Sequence, residues 1–284
     1  MEQDTRQVFK KLGSCSHTLF YQVNREFGDP KEFEGIATNL FAGGLLQTGH
    51  QCGMLWGSAM AAGTESYRRH NNSSQAIAVA INATRQLMQS FFDRTKTHNC
   101  SEVTGCNLKS PLGIAKFTVK SLFYLLAEKT GKKVEGSCFI LAERWAPEAI
   151  NAAIKGLSNH QGKKHKPAMS CASEVVKKMG GSDEEIVMVA GFAGGLGLSG
   201  NACGALSAAI WMKLLDWCRK NPGKNPPYFN NREVKKTINT FYQATDSKIL
   251  CHEICGQCFK SVDDHSNFIE NGGCAKLILA LAQV

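Results

Sequence analysis

A glycine-rich segment that occurs twice is the strongest constraint on how this chain can fold. Residues 41–60 read FAGGLLQTGHQCGMLWGSAM, and residues 192–211 read FAGGLGLSGNACGALSAAIW. When Cys52 is aligned with Cys203, the next cysteines in register, Cys100 and Cys251, both lie 48 positions further along the chain. Unrelated segments would not be expected to keep that spacing. The chain is therefore an internal duplication of one structural unit.

Further cysteines extend the match between the two halves. One cysteine precedes each glycine-rich segment, and another follows the 48-residue interval. The four matched cysteines of each half are Cys15, Cys52, Cys100 and Cys138 in the first and Cys171, Cys203, Cys251 and Cys274 in the second. A lysine-rich stretch at residues 155–167 is typical of a linker. We place the boundary at about residue 160, which gives a first repeat at 1–160 and a second at 161–284.

Helical periodicity dominates between these cysteines. Apolar residues recur at three- and four-residue steps ahead of Cys100 and Cys251. The two series are Ile77, Ile81, Thr84, Met88 and Phe91, and Val234, Ile238, Phe241 and Thr245. Alternating, strand-like runs bounded by turn residues are scarce. The sequence predicts an all-α protein of two similar helical bundles related by a pseudo-twofold axis.

Composition narrows the setting in which the cysteines act. The amino-terminal residues MEQDTRQVFKK do not resemble a secretory signal, and no run of 18 apolar residues could cross a membrane. We therefore expect a cytoplasmic protein, and in a reducing compartment twelve cysteines indicate metal binding or catalysis more than disulfides. The net charge of +9 is typical of solvated loops rather than of a nucleic-acid groove, and it suits an acidic protein partner.

The glycine-rich segment leads into a helix that begins near its cysteine. Glycine tolerates a left-handed backbone, which permits a sharp turn before that helix. A thiolate of Cys203 in the first helical turn would face free backbone N–H groups, which favour it as a ligand or nucleophile. Asn201 is the predicted N-cap, and Gly49 or His50 takes that place in the first copy. The alternative is that small residues allow close helix packing and the cysteine is a buried apolar residue.

Four separated cysteines per half suit a tetrathiolate site that holds either an iron–sulfur cluster or zinc. Three additional cysteines, Cys106, Cys255 and Cys258, are secondary candidates, whereas Cys218 is expected to serve packing. The spacing Cys251-x3-Cys255-x2-Cys258 is used by radical S-adenosylmethionine enzymes, but here it lies near the end of a helical chain. Thr104 stands near the Cys255 position in the first half. The two halves are therefore not chemically equivalent.

Histidines also lie near several of the cysteines in sequence. They are His17, His50, His98, His252 and His265. Each is more often a surface or core residue than a ligand, and His98 and His252 are the strongest candidates because they lie within two residues of a cysteine. No Gly-x-Ser-x-Gly, His-Glu-x-x-His or P-loop motif is present. The sequence thus offers cysteine chemistry rather than a hydrolase or nucleotide site.

This order of motifs resembles the redox-active protein family named for its C_GCAxxG_C_C pattern, which is related to the N-terminal part of split-Soret cytochromes. The segments CGMLWG at 52–57 and CGALSA at 203–208 carry the likeness with the flanking cysteines, and it covers nearly the whole chain. The resemblance implies an iron–sulfur or other redox role in anaerobic metabolism. Met54, Ala208 and the extra cysteines depart from the family pattern. No Cys-x-x-Cys-His site is present, so a cytochrome function is not implied.

We expect an iron–sulfur cluster-binding redox protein with one cysteine-ligated cluster in each half. The cluster would be [4Fe–4S], or larger if the two cysteine sets meet between the halves. Its role would be electron transfer or reductive chemistry as an iron–sulfur oxidoreductase, with a redox protein as partner and a homodimer as a candidate assembly. Two alternatives remain: a thiol–disulfide oxidoreductase that uses a pair such as Cys255 and Cys258, and a zinc-stabilised scaffold.

Overall fold

The computed structural model describes residues 4–28, 31–46, 48–70, 72–158, 168–227 and 231–284. Helices account for all regular secondary structure in these residues, and none of them forms a strand. The only β-type pairings among the described residues are two isolated antiparallel bridges, Gln51 with Asn99 and Ala202 with Leu250. The predicted all-α class is confirmed.

Eight α-helices and one short 3-10 helix make up the described part of the first half. They are α1 (Thr5–Leu12), α2 (Cys15–Glu26), α3 (Glu32–Ile36), the 3-10 helix Asn39–Phe41, α4 (Gly53–Arg69), α5 (Ser73–Thr95), α6 (Cys100–Thr104), α7 (Pro111–Lys129) and α8 (Cys138–Ser158). Helices α2, α4, α5 and α8 pack on one another as a bundle. Their contacts bury the large side chains Phe20, Trp56, Phe91 and Trp145 completely.

The described part of the second half repeats this order in shorter form, from the equivalent of α2 onwards. Its elements are α9 (Cys171–Lys178), α10 (Asp183–Met188), the 3-10 helix Ala190–Phe192, α11 (Gly204–Lys220), α12 (Arg232–Ala244), α13 (Cys251–Cys255), α14 (Val262–Glu270) and α15 (Ala275–Ala282). Helices α9, α11, α12 and α15 make the same pairwise contacts as α2, α4, α5 and α8. The duplication seen in the sequence is thus a duplication of the bundle.

The two bundles contact each other reciprocally. Helix α3 packs on α11, where the Trp211 indole N–H donates to the Glu34 carbonyl at 3.3 Å. The equivalent contact places α10 on α4 at Gly63, where a Cβ atom would lie only 2.5 Å from the Met188 carbonyl oxygen. Such a close approach of two backbones requires glycine. This exchange of equivalent contacts is the arrangement expected for a pseudo-twofold relationship.

The two series of residues with helical periodicity lie on the buried faces of two helices, α5 and α12. All five residues of the first series are buried on α5, whose N-cap residue Asn72 accepts a hydrogen bond from the Gln75 backbone N–H at 3.2 Å. The second series lies on α12, with Val234 and Phe241 buried. Thr245 follows the last residue of α12 as its C-cap. Burial of one apolar stripe therefore stabilises both helices.

The predicted linker was placed slightly too early. Residues 155–158 belong to the last turn of α8, where Leu157 is fully buried, so the lysine-rich stretch starts inside a helix. The expected boundary at about residue 160 falls in residues 159–167, which lie outside the described part of the chain.

Helix α7 differs from its neighbours because its outer face is apolar and exposed. Leu112, Val119, Leu122, Phe123 and Leu126 are each more than half exposed. Despite this face, no described helix combines the length and apolar character that crossing a membrane would require.

Candidate functional site

All eight matched cysteines stand at the start of a helix. Five are the first residue of their helix: Cys15 in α2, Cys100 in α6, Cys138 in α8, Cys171 in α9 and Cys251 in α13. The other three are N-cap residues: Cys52 of α4, Cys203 of α11 and Cys274 of α15. Free backbone N–H groups and the positive end of the helix dipole meet at such positions. Each half therefore directs several helix N-termini towards its sulfur atoms.

The 48-residue interval that the two halves share has a direct structural cause. The residue before each cysteine forms one of the two antiparallel bridges, which aligns Cys52 with Cys100 and Cys203 with Cys251. The Cys52 N–H donates to the His98 carbonyl at 2.7 Å, and the Cys203 N–H donates to the Ile249 carbonyl at 3.0 Å. The interval therefore sets the distance along the chain between two cysteines that lie side by side in space.

The glycine-rich segment forms a left-handed turn next to the cysteines. Residues 43–46 and 194–198 all have positive φ angles, and they include the leucines Leu45 and Leu196. Consecutive left-handed residues are rare because each non-glycine residue costs about 1–2 kcal/mol. The turn directs the backbone N–H of Gly43 to the Cys15 sulfur and that of Gly194 to Cys171. The strained backbone thus supplies an N–H donor to one sulfur in each half.

In the first half, the four matched cysteines line one open cavity of about 530 Å³. It lies between α1, α2, α6, α7 and the start of α8. The Cys52 thiol donates to the Cys15 sulfur, which lowers the pKa of Cys15 and raises that of Cys52 well above its usual value. These four thiols, from distant parts of the sequence, share one site.

In the second half, the matched cysteines line a cavity of only about 10 Å³ together with a fifth, Cys255. The Cys255 sulfur lies 3.8 Å from the Cys251 sulfur and 3.6 Å from the Cys274 sulfur. Helix α14 closes the site because its side chains His265 and Phe268 pack into the lining. The second site therefore has more sulfur and almost no free space.

The three secondary candidates have different positions. Cys255 joins the second cavity, and Thr104 lines the first cavity at the equivalent position, as the alignment predicted. Cys106 is buried beside Cys100 and contacts the Thr104 carbonyl at 3.6 Å, but it is not part of the cavity lining. Cys258 is exposed and lies against Gly200, outside the cavity lining. The Cys251-x3-Cys255-x2-Cys258 spacing thus brings two of its three thiols into the cavity.

Burial makes most of these thiols weak acids. Desolvation raises the pKa of Cys138, Cys171 and Cys203 to about 12 each and raises the pKa of Cys100 well above its usual value. A thiol with such a pKa is a poor nucleophile at neutral pH, but a metal cation can deprotonate it on binding. Cys218 is also buried, with a pKa raised to about 11 by burial, and it lines neither cavity, in keeping with a packing role.

Among the histidines, His265 lines a cysteine cavity, although it is not one of the two that the sequence favoured as ligands. His265 lies in the second site, is 1% exposed, and its Nδ1 atom has no hydrogen-bond partner. Burial lowers its pKa to about 4. The favoured His98 and His252 instead contact the carbonyls of Met88 and Gly200 and are absent from both linings. The sequence did not single out His265, which lies 14 residues after Cys251.

The predicted N-caps, Asn201 in the second half and Gly49 or His50 in the first, were wrong by two or three residues. Cys52 and Cys203 themselves are the N-cap residues of α4 and α11, and neither has a side-chain capping hydrogen bond. The Asn201 carbonyl instead accepts the Cys251 N–H at 2.6 Å. The residue that looked like a cap therefore connects two cysteine-bearing segments, and the helix N-terminus is left open towards the sulfur.

The donor chemistry of both sites fits a thiolate-bound metal cluster. Cysteine sulfurs are the ligands of iron–sulfur clusters, and backbone N–H groups directed at the sulfurs stabilise their negative charge. Within the described ranges, no group of three or more His, Cys, Asp or Glu side chains has an arrangement suited to a single metal ion.

Comparison with known proteins gives a family. The sequence matches the family described as "Putative redox-active protein (C_GCAxxG_C_C)" twice, at residues 14–142 and at residues 166–284. No curated protein and no solved structure matches the chain. Each matched region contains one set of four matched cysteines, as an internal duplication requires. The chain belongs to the C_GCAxxG_C_C family of redox-active proteins and contains two copies of the family unit.

Proposed function

We propose that this protein binds a cysteine-ligated iron–sulfur cluster in each half and uses the clusters in electron transfer or reductive chemistry. The observation that carries the proposal is the convergence of four matched thiols per half, each at a helix N-terminus, on one cavity. Cys15, Cys52, Cys100 and Cys138 would hold the first cluster. Cys171, Cys203, Cys251 and Cys274 would hold the second, with Cys255 beside it.

The surroundings of the thiols suit a bound cluster better than free thiolates. Burial raises the pKa of most of these groups, so their negative charge requires a positive centre within the site. The N–H groups of Gly43 and Gly194 supply hydrogen bonds to sulfur, which tune the reduction potential of iron–sulfur centres. When bound, such a cluster supplies one-electron transfer, and these residues hold and shield it.

The cluster type proposed for each half is [4Fe–4S], because four thiols are its usual protein ligands. The physiological partner would be a redox protein with an acidic surface, since this chain has a net charge of +9. We place the protein in the cytoplasm under anaerobic conditions, where oxygen does not destroy iron–sulfur clusters.

A thiol–disulfide oxidoreductase is the second candidate. The short distances from the Cys255 sulfur to those of Cys251 and Cys274 favour it. The redox-active pair would then be Cys255 with one of these two cysteines rather than Cys255 with Cys258. The pKa of Cys255 opposes it, because the hydrogen bond to Cys251 and burial raise that pKa to about 12. Zinc bound by the same thiols would make the protein a scaffold without redox activity.

Anaerobic purification separates these candidates. Iron, acid-labile sulfide and zinc are measured per chain, and absorption and EPR spectra are recorded before and after reduction with dithionite. We expect iron and sulfide in equal amounts and an EPR signal on reduction. A colourless protein with neither iron nor sulfide would refute the proposal, and stoichiometric zinc without a redox response would identify the scaffold.

A further inference from the structure

The two cysteine sites differ in how much space adjoins the sulfurs. The first cavity, about 530 Å³, has a volume within the range of about 300–1,000 Å³ that is usual for small-molecule sites. The second is closed at about 10 Å³. The cause is one pair of equivalent helices: α14 has 9 residues and packs His265 and Phe268 on the cysteines, whereas α7 has 19 residues and covers an open space. The two halves thus match the same family and yet differ in the space beside their cysteines.

The walls of the first cavity are mainly apolar. Phe9 from α1, Phe117 and Leu125 from α7, and Phe139 from α8 line it. Large apolar walls favour an apolar ligand, because release of water from them lowers the free energy of the system. The four matched cysteines line the same cavity.

The described lining of the cavity includes one cationic side chain. Lys120 is the single charged residue among the described residues that line it. Its Nζ atom donates to the Thr104 carbonyl at 2.8 Å and lies 5.7 Å from the centre of the Tyr124 ring. An ammonium group has three N–H donors, so two remain for a ligand. No carboxylate among the described lining residues neutralises this charge.

We propose that the first cysteine cavity binds an apolar small molecule with one anionic group, with that group on Lys120 and the apolar part between Phe117, Leu125 and Phe139. The first half then holds a ligand beside its thiols, and the closed second half does not. Binding at this cavity depends on Lys120 and the apolar walls. It can therefore be measured whether or not iron is present.

Two dyes of similar shape test the charge and the cavity separately. The probe is 1-anilinonaphthalene-8-sulfonate, an apolar anion, and its uncharged counterpart is N-phenyl-1-naphthylamine. We expect one bound anion per chain and weaker binding of the neutral dye. Lys120→Met keeps the aliphatic stem and removes the charge, so it should weaken the anion at least tenfold and leave the neutral dye unchanged. Lys116→Met, one turn earlier on α7 and outside the lining, is the matched control and should change neither.

Ser121→Trp places a large ring in the cavity and should prevent binding of both dyes. Val119→Gln alters the exposed outer face of α7 instead. Loss of dye in Val119→Gln with full binding in Ser121→Trp would place the dye on the surface and overturn the proposal. Equal affinities of the Lys120→Met and Lys116→Met variants for the anion would also overturn it.

Iron is measured in the same samples. If anaerobically purified protein contains no iron and still binds the dye, the absence of iron refutes the proposed clusters and the dye binding supports the ligand site. Loss of iron in Lys120→Met would assign the lysine to the metal centre and overturn the ligand site.

Discussion

Gln51 and Ala202 occupy equivalent positions in the two repeats and contact each other across the interface between the bundles. The Gln51 side-chain oxygen accepts the Ala202 backbone N–H at 3.1 Å. Its amide nitrogen donates to the Gly195 carbonyl at 2.6 Å and to the Ser199 hydroxyl at 3.2 Å. Because each residue directly precedes a matched cysteine, this one buried side chain connects the two cysteine sites.

Substitution of Gln51 by alanine is expected to destabilise the protein by about 1–3 kcal/mol, because the buried Ala202 N–H loses its partner and the Gly195 carbonyl keeps only its bond from the Ser199 hydroxyl. Urea unfolding measures this change. Gln89→Ala is the control, since Gln89 is exposed and its side chain bonds to the exposed Asp93 four residues later, and it should cost less than about 0.5 kcal/mol. Equal effects of the two substitutions would show that the link between the halves contributes no stability.

The two cysteine sites are expected to hold metal independently. Cys203→Ala should remove about half of the iron per chain, because only the second set of thiols loses a ligand. Cys218→Ala removes a cysteine of similar burial that lines neither cavity and should keep all of the iron. Iron and sulfide analysis of anaerobically purified variants gives the result. Loss of all iron in Cys203→Ala would indicate one shared cluster.

The left-handed turn is expected to be intolerant of side chains for two separable reasons. Gly195→Ala introduces a Cβ at a φ of +79°, and that atom would lie 2.6 Å from the Asn201 backbone N and O. Gly180→Ala meets a similar φ of +81° with no atom within 4 Å. The first should cost about 1–3 kcal/mol more than the second, because only it adds a steric clash. Thermal unfolding of both variants measures the difference, and equal costs would exclude the close approach as the reason for glycine.

A buried ion pair joins α1 to the end of α7, and both helices line the first cavity. The Arg6 guanidinium bonds to both Glu128 oxygens, at 2.6 and 3.1 Å, and this hydrogen bonding raises the pKa of Arg6. Glu128→Ala leaves a buried charge without its partner and should cost about 3–5 kcal/mol in urea unfolding. Glu135→Ala breaks the exposed pair with Arg144 and should cost less than about 1 kcal/mol. A small effect of Glu128→Ala would mean that Arg6 reaches solvent.

Thiol accessibility is expected to differ strongly along the chain in metal-free protein. Cys258 is exposed and should react with iodoacetamide at neutral pH within the shortest labelling time. Cys171 and Cys203 should remain unlabelled until the protein unfolds, because burial raises the pKa of each to about 12 and the thiolate is the reactive form. Peptide mass spectrometry after timed labelling reports each site. Early labelling of Cys203 would contradict the burial of the second site.

Much of the candidate site was predictable because the duplication is visible residue by residue. The alignment of Cys52 with Cys203 led to the eight matched cysteines and placed Thr104 opposite Cys255, and in the structure these residues line two cavities, one in each half. The prediction of helix N-caps failed because tertiary packing places the cysteines at the cap positions, against the local preference for residues such as Asn. His265 was undervalued because its approach to the cysteines depends on the packing of α14.

The sequence by itself determined the helical class, the repeat and the set of cysteines, because periodicity and spacing are properties of the chain. Only the tertiary structure decided that the first site is open beneath α7 and the second is filled by α14. It also decided that Gln51 joins the two sites. These features depend on contacts between helices far apart in the chain, and such contacts are set by the packing of whole surfaces rather than by any local pattern.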